Sequence, residues 1–519
     1  MKIELSNITV PVDKEQKSGV ISELEKCGID RDKIKTINYI KRSIDSRNRS
    51  SIKFIYTLEV EVDSLPEKLR VNYKIAQTAE NLERKPVKPA GNVAVIGSGP
   101  AGLFAALRLA EYGIKPLVFE RGEDVDARAV TVEKFWKTSF LNPESNVQYG
   151  EGGAGTFFFF FLTTRIRSEY IEKVFSEFVK AGASPEILYD YKPHIGTDVL
   201  KEVVKNIRKK IISMGGEFFF NSKLTDLTLK NGKISEIEIN STNKIEVSHL
   251  ILAIGNSPRD TYKMLHSRGV YMENKDFAVG VRIDNPREDI DKMQYGKLYN
   301  HPNLGAAPYS FTFNSPYEKR GTFTFCMCPG GEIVNASSAC GGTVTNGMSY
   351  SKRDSMFSNS AVVVQVGSSD FGDHLFAGME FQEKIEKRAY EIAGSGGVYQ
   401  TLFDFMGDKK SKKVLPNSYV MDKVPEKMDT VLPKAICDNM RLAFKNWSRN
   451  QLFISERASL IGPETRTSAP VRIKRDEAGR SVTVENLYPI GEGAGYAGGI
   501  TSSAVDGLKI VDAVFTLKE

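Results

Sequence analysis

Asn92-Val93-Ala94-Val95-Ile96-Gly97-Ser98-Gly99-Pro100-Ala101-Gly102 is the stretch that decides the fold. Its first five residues form a short apolar run of the buried-strand type. The glycines follow at once, Leu103 to Tyr112 carries helix-forming residues, and Gly113 is placed to end that helix. Ile114 to Phe119 predicts a second strand, closed by Glu120 with Arg121 beside it. Each position has a local reason. Gly97 permits a tight turn, Gly99 removes a side chain where backbone must approach a pyrophosphate, and Gly102 lets helix and strand pack closely. The helix N-terminus offers unpaired N–H groups and partial positive charge to phosphates, with Ser98, Pro100 and Ala101 in the turn. Glu120 is placed to accept hydrogen bonds from ribose hydroxyls. A glycine triplet alone would say little. Strand, glycines, helix, strand and terminal acid in this order predict a Rossmann-type dinucleotide-binding domain.

Outward from that stretch, 519 residues are too many for one ordinary domain. Hydrophobic residues at 41% and charged residues at 26% describe a globular chain, and no apolar run is long enough to predict a membrane helix. The opening Met1-Lys2-Ile3-Glu4-Leu5-Ser6 does not read as a secretory signal, so the cytoplasm is the expected compartment. Five cysteines, Cys27, Cys326, Cys328, Cys340 and Cys437, are too sparse for a disulfide framework, and their spacing lacks the second pair that a zinc site needs. The net charge of +6 is mild and hints only at anionic ligands.

Residues 1–88 read as a small α+β module. Ile3–Leu5 and Ile8–Val10 suggest strand, Lys17–Cys27 has helical spacing, and Phe54–Val62 reads as a strand, alternating near its end. Lys85 to Gly91, punctuated by Pro86, Pro89 and Gly91, is a linker. Between Arg31 and Lys53 eight basic residues face only Asp32 and Asp45. A solvated hairpin is the expectation, and a nucleic-acid surface is the alternative. The expected fold is therefore α/β: a Rossmann-like dinucleotide domain (89–275 and 456–519), an inserted α+β substrate domain (276–455) and the N-terminal module.

A distant segment bears on which dinucleotide is bound. Asn486–Ile490 is a predicted strand running into Gly491-Glu492-Gly493-Ala494-Gly495-Tyr496-Ala497-Gly498-Gly499 and a helical stretch from Ile500 to Leu517. It resembles the C-terminal FAD motif of the flavoprotein class typified by glutathione reductase. The resemblance implies FAD, with Gly491 and Glu492 at its ribityl or pyrophosphate region and Gly498, Gly499 and Ile500 at the flavin pyrimidine edge. His249-Leu250-Ile251-Leu252-Ala253-Ile254-Gly255 resembles the strand-and-glycine motif that crosses back over FAD, which brings in Gly255. Pro143–Thr156, Lys192–Thr197, Phe325–Gly331, Asn346–Ser351 and Glu464–Ser468 are similar to blocks of a bacterial family of FAD-dependent dehydrogenases, and the similarity covers nearly the whole chain. It implies that the loop holding Gly153, Gly155 and Thr156 lies beside the isoalloxazine ring. One departure stands out. Where the family has Ser-Asp-Gly-Lys, this chain has Phe158-Phe159-Phe160-Phe161, preceded by Phe157. Phenylalanine supplies neither the lysine's charge nor the glycine's turn, and the run fits an aggregation-prone window.

Candidates for chemistry lie outside the glycine motifs. Cys326 and Cys328 form a redox pair or a thiolate near the flavin, or are buried packing in an apolar strand. His194 is a general acid at the flavin or a hydrogen-bonded structural histidine. Arg466 suits a carboxylate substrate or a flavin phosphate, with Arg353 and Tyr350 as weaker anion binders. No second nucleotide motif is present, so NAD(P)H is expected only as a transient donor, or the electrons come from another donor. The expected function is an FAD-dependent oxidoreductase acting on a small molecule by hydride transfer. A flavoprotein acting on RNA through the basic module is the second reading, and a flavin-binding protein without turnover is the third.

Overall fold

A computed structural model describes residues 1–64, 69–75, 84–156, 168–317, 319–449 and 455–517. Its centre is a five-stranded, all-parallel sheet in the order Leu487–Pro489, His249–Leu252, Val93–Ile96, Pro116–Phe119, Glu217–Phe219. Every residue of Val93–Ile96 is buried, as a run without polar alternation requires. The following helix spans Pro100–Glu111, so it begins three residues earlier than its apolar periodicity predicts. Proline supplies the helical φ and lacks an N–H that would be unsatisfied there. The last helix, Ile500–Phe515, packs against it so closely that a Cβ on Gly507 would collide with the Ala101 carbonyl oxygen.

The chain leaves this domain through Met272–Asn274 and returns through Val471–Ile473, and these two strands pair antiparallel. Between them lies a seven-stranded sheet in the order Thr312–Asn314, Gly321–Cys328, Phe357–Val366, Phe277–Pro286, Ser459–Glu464, Gly397–Thr401, Lys423–Pro425. Neighbours run antiparallel except the last pair. Ser459–Glu464 belongs to this sheet, so the inserted domain extends past residue 455, where the sequence suggested it ends. The polar strand end Ser459 and the paired Glu464 carry no hydrophobic signal that would mark the boundary.

Phe277–Pro286 is buried along its whole length yet contains Arg282. Its guanidinium meets Glu464 at 2.7 Å. It also donates to the Cys326 carbonyl at 2.7 Å, to Asn359 Oδ1 at 3.2 Å and to Asn346 Oδ1 at 2.9 Å. One cation thereby ties together five strands. Glu464 holds it above its ordinary basicity despite complete burial.

In the N-terminal module the strands run in the order Ile34–Asp45, Lys53–Val62, Lys2–Pro11, Tyr73–Ile75, with the helix Gln16–Lys26 against them. The two strand pieces read near the start are one strand with a register shift between Leu5 and Ile8, where Asn7 has φ +62°. Phe54, Tyr56, Leu58, Val60 and Val62 point inward at period two, and their core is continuous with that of the inserted domain. The basic hairpin is not wholly solvated: Arg42 is largely buried and binds Asp190 through two bonds of 2.6 and 2.9 Å. Lys33, Lys35 and Arg47 pair with Asp30, Asp63 and Asp45. The 85–91 linker lies against the end of the last helix, with Val87 N–H donating to the Phe515 carbonyl at 2.7 Å. Among the described residues no helix is long and apolar enough to cross a membrane.

Replacing Glu464 by Gln leaves the Arg282 charge buried without its counter-charge and should cost about 3–5 kcal/mol, because breaking a buried pair exposes the full desolvation penalty of the survivor. The double variant Arg282→Met/Glu464→Gln should recover most of that loss. Guanidinium unfolding midpoints of the three proteins check both expectations.

Candidate functional site

The carboxyl ends of Val93–Ile96, His249–Leu252 and Leu487–Pro489 open into a cleft. Such crevices are where open α/β sheets bind their ligands. Gly97 has φ +96°, and a Cβ there would collide with the Ala253 carbonyl oxygen. A Cβ on Gly102 would collide with the Gly97 carbonyl oxygen. Gly99 differs, since its nearest neighbour is Gly153 Cα at 3.7 Å. The outer two glycines serve packing, and the middle one faces open space. Among the described residues no side chain caps the helix at Gly99 or the last helix at Gly499. Two sets of free N–H groups and two positive helix ends therefore belong to the cleft.

Glu120 lines the cleft, but its carboxylate is already engaged. Oε2 accepts from Ser98 N at 2.8 Å and Ser98 Oγ at 2.9 Å, and Oε1 accepts from Gly122 N at 2.9 Å and Gly150 N at 3.0 Å. A carboxylate has about four acceptor sites, and these donors fill them. Through these bonds Glu120 knits the two glycine loops together at the edge of the cleft. Arg121 lies over the Tyr149 ring at 4.4 Å and pairs with Glu144 at 2.5 Å and Asp260 at 2.8 Å.

The loop Asn146–Gly153 forms the next wall. Gly150, Gly152 and Gly153 have φ of +118°, +82° and +61°, which glycine alone adopts readily. Arg128, fully buried, fills the inside of this loop. Its guanidinium donates to the carbonyls of Asn146, Val147, Gly150, Glu151 and Gly153 at 2.7 to 3.3 Å. Burial pushes its pKa down to about 10, and it stays charged at neutral pH. Gly155, whose Cβ would lie 2.8 Å from Ile500 Cγ1, brings the loop onto the last helix, and Thr156 closes the turn. Phe157 to Phe161 lie outside the described residues.

On the opposite wall Glu492 is half-buried and accepts a hydrogen bond from Asn256 Nδ2 at 2.7 Å. Burial pushes its carboxyl up to about 7, against the opposing pull of Asn256 and Lys275. Gly491 has φ +72°, and its N–H donates to Asp506 at 2.7 Å. Gly255 and Gly493 touch, and the Tyr262 hydroxyl lies 3.0 and 2.8 Å from their carbonyl oxygens. Gly499 and Ile500 line the cleft, and a Cβ on Gly498 would meet nothing within 4 Å.

Comparison with known proteins agrees with this geometry. Residues 91–282 match the family model of pyridine nucleotide-disulphide oxidoreductases, and residues 276–467 match that of the FAD-dependent protein C-terminal domain. Residues 2–61 match a domain of unknown function. An uncharacterised protein of Clostridium beijerinckii is 44% identical over 534 residues, covering 99% of this chain and 98% of its own. The chain belongs to the family of FAD-dependent oxidoreductases. FAD is its cofactor. Among solved structures, CtdE in complex with FAD is 11% identical with a TM-score of 0.32 over 82% of each chain. THI4 of Thermovibrio ammonificans is 19% identical with a TM-score of 0.24, and the match spans 35% of this chain and 64%, less than two thirds, of that one.

The cleft of this FAD-dependent protein fits its cofactor. Uncapped N–H groups after Gly99 suit the pyrophosphate, and those after Gly499 suit an electron-rich ring edge. The proposed catalytic side chains fit less well, because none of the four lines the cleft. Arg466 is bound by Glu386 at 3.0 and 2.7 Å and by Ser338, so the acid that it grips is the protein's own. His194 Nε2 lies 3.0 Å from the Tyr350 carbonyl, and burial, reinforced by Arg353, pushes its pKa down to about 3. A neutral ring that donates to a carbonyl is not poised as a general acid. Cys326 and Cys328 are buried at a register shift in their strand, beneath Arg282, with Cys326 at φ +45°. Contact with Cys328 and burial push the Cys326 thiol up. Sequence reasoning missed Arg128, Asn256 and Tyr262. Nothing in the helical spacing around Arg128 distinguishes it from a surface cation.

Arg128→Lys retains charge but loses the fork, leaving several buried carbonyls without a donor. FAD affinity should fall by roughly tenfold or more, read as fluorescence on cofactor titration. A second expectation concerns pH. Glu492 titrates near 7 in the fold and at its ordinary lower value when unfolded, so its contribution to stability falls as pH rises between those values. Glu492→Gln should therefore raise the melting temperature of cofactor-free protein at pH 8 and leave it nearly unchanged at pH 5.

Proposed function

We propose that this protein is a dehydrogenase-type flavoenzyme that exchanges a hydride with a small organic substrate. NAD(P)H, bound only transiently, serves as an electron donor. Bound FAD supplies two-electron chemistry at its N5. The observation that carries the reading is the cleft with two uncapped helix ends, at Gly99 and Gly499, both against the Gly150–Gly155 loop. The first end would hold the pyrophosphate. The second would lower the cost of negative charge on the ring, because a helix N-terminus stabilises anions without reorganising. Among the described residues a single all-parallel sheet carries a glycine turn, which favours a donor that visits over one with its own domain. We place the reaction in the cytoplasm, in keeping with five free cysteines.

The RNA reading draws on fewer cations than the hairpin sequence offers, since Lys33, Lys35, Arg42 and Arg47 each pair with a carboxylate. The reading without turnover rests on Phe157–Phe161. Anaerobic visible spectra separate the alternatives. The expected result is a flavin spectrum that bleaches on adding NADH or NADPH. Flavin that stays oxidised with every donor tried would overturn the oxidoreductase reading in favour of a holding role.

A further inference from the structure

Four charged side chains close a ring at one end of the cofactor cleft. Arg121 meets Glu144 through Nε at 2.5 Å and Asp260 through Nη1 at 2.8 Å. Lys223 Nζ completes the circuit, 2.6 Å from Asp260 and 3.4 Å from Glu144. Each acid thus touches both bases. The four come from separate stretches: the turn after Pro116–Phe119, the loop before Asn146–Gly153, the loop after Glu217–Phe219 and the helix Arg259–Ser267.

The order of strands says which end this is. Val93–Ile96, whose turn at Gly99 suits the pyrophosphate, is the middle strand of five. On one side, beyond His249–Leu252, lies Leu487–Pro489, which leads to Gly491, Glu492 and Gly499. On the other side lie Pro116–Phe119 and Glu217–Phe219, which lead to Arg121 and to Ser222–Leu224. A dinucleotide seated by its pyrophosphate on the middle strand spreads to both sides. With the flavin toward Gly499, the adenosine half falls at the ring of charges.

Arg121 and Lys223 line the cleft, whereas the two acids do not. Exposure follows the same split: the Arg121 side chain is 16% exposed, against 45% for Glu144 and 43% for Asp260. The acids therefore hold the guanidinium from the solvent side. Tyr149, itself buried, backs it, with the guanidinium carbon 4.4 Å from the ring centroid. A guanidinium gripped at two points and backed by an aromatic ring has little freedom left to lose on binding. The ring's own charges cancel, so it is not set to attract a further anion. It offers instead a planar, weakly hydrated cation whose charge is already answered, which is a surface for stacking a planar base.

We propose that the Arg121 guanidinium is the platform on which the adenine ring of FAD stacks, and that Glu144, Asp260 and Tyr149 are positioning residues that fix it. This rests on FAD as the cofactor and is independent of the hydride reading. Exposed ion pairs add little to stability, so the acids can be altered without loss of the fold.

The test uses the FAD-loaded protein, brought to equilibrium with rising FMN or, separately, rising ADP. Released FAD is separated by ultrafiltration and quantified by chromatography. FMN carries the flavin without adenine, and ADP carries the adenine without flavin. Loss of stacking weakens FAD and ADP together and leaves FMN as it was. Arg121→Gln should therefore lower the FMN concentration for half-displacement about tenfold and leave that for ADP unchanged. Glu144→Gln/Asp260→Asn, which keeps the guanidinium but unfastens it, should shift FMN the same way by a smaller factor. Should Arg121→Gln fail to fold, this surface variant carries the same test. General damage weakens all three ligands alike and moves neither concentration. An FMN concentration equal to that of the wild type, or a fall with ADP instead, overturns the proposal. So does wild-type behaviour in Arg121→Lys, which would mean that charge acts without the plane. FAD binding and the hydride reading stand in either case.

Discussion

The cofactor cleft depends on one buried cation. A loop that turns through several left-handed glycines points its carbonyls inward, where water cannot reach them, and each must find a donor. Arg128 supplies the donors for the carbonyls of Asn146, Val147, Gly150, Glu151 and Gly153 from a single planar group. The outward N–H groups are taken by the adjoining wall: Gly150 donates to Glu120, and Gly152 donates to the Ser98 carbonyl. Arg128 on one side and Glu120 on the other bracket the loop. Gly153 can then lie against Gly99 with a Cβ-free surface between them. Every other feature of the cleft, from the open face of Gly99 to the seating of Gly155 on Ile500, presupposes that bracket.

The same device recurs through the molecule. Arg282 gathers five strands of the inserted domain around Glu464, Arg466 ties its turn to Glu386, and Arg42 fixes the N-terminal module to the segment around Asp190. In each case a forked guanidinium meets a carboxylate from a distant part of the chain, and the geometry admits few alternatives. Buried pairs of this kind are weak sources of net stability, because desolvation offsets much of the attraction. They do make a wrong arrangement costly, since a misplaced partner leaves a charge buried alone. The arginines that looked most suited to a ligand are therefore the ones most fully used by the fold.

That outcome separates two kinds of prediction. The glycine motifs were readable because their chemistry is local: Gly97, Gly99 and Gly102 act on one turn, and Gly491 and Gly255 on their own loops. The roles assigned to long polar side chains were not readable. Glu120 sits where the motif places it, yet four donors from three loops converge on its oxygens. His194 is coupled to Tyr350, and Cys326 to Cys328 beneath Arg282, partners that no spacing rule announces.

By itself the sequence determined the Rossmann-type domain, its split by an inserted domain and an N-terminal module, and its resemblance to known flavoproteins implied FAD. The first three rest on short-range periodicity and on glycines that only one backbone conformation explains. Only the tertiary structure decided which buried charges meet and that Ser459–Glu464 joins the inserted sheet. Charge pairing between residues hundreds of positions apart is set by how sheets and helices stack, and the linear order carries no measure of that distance.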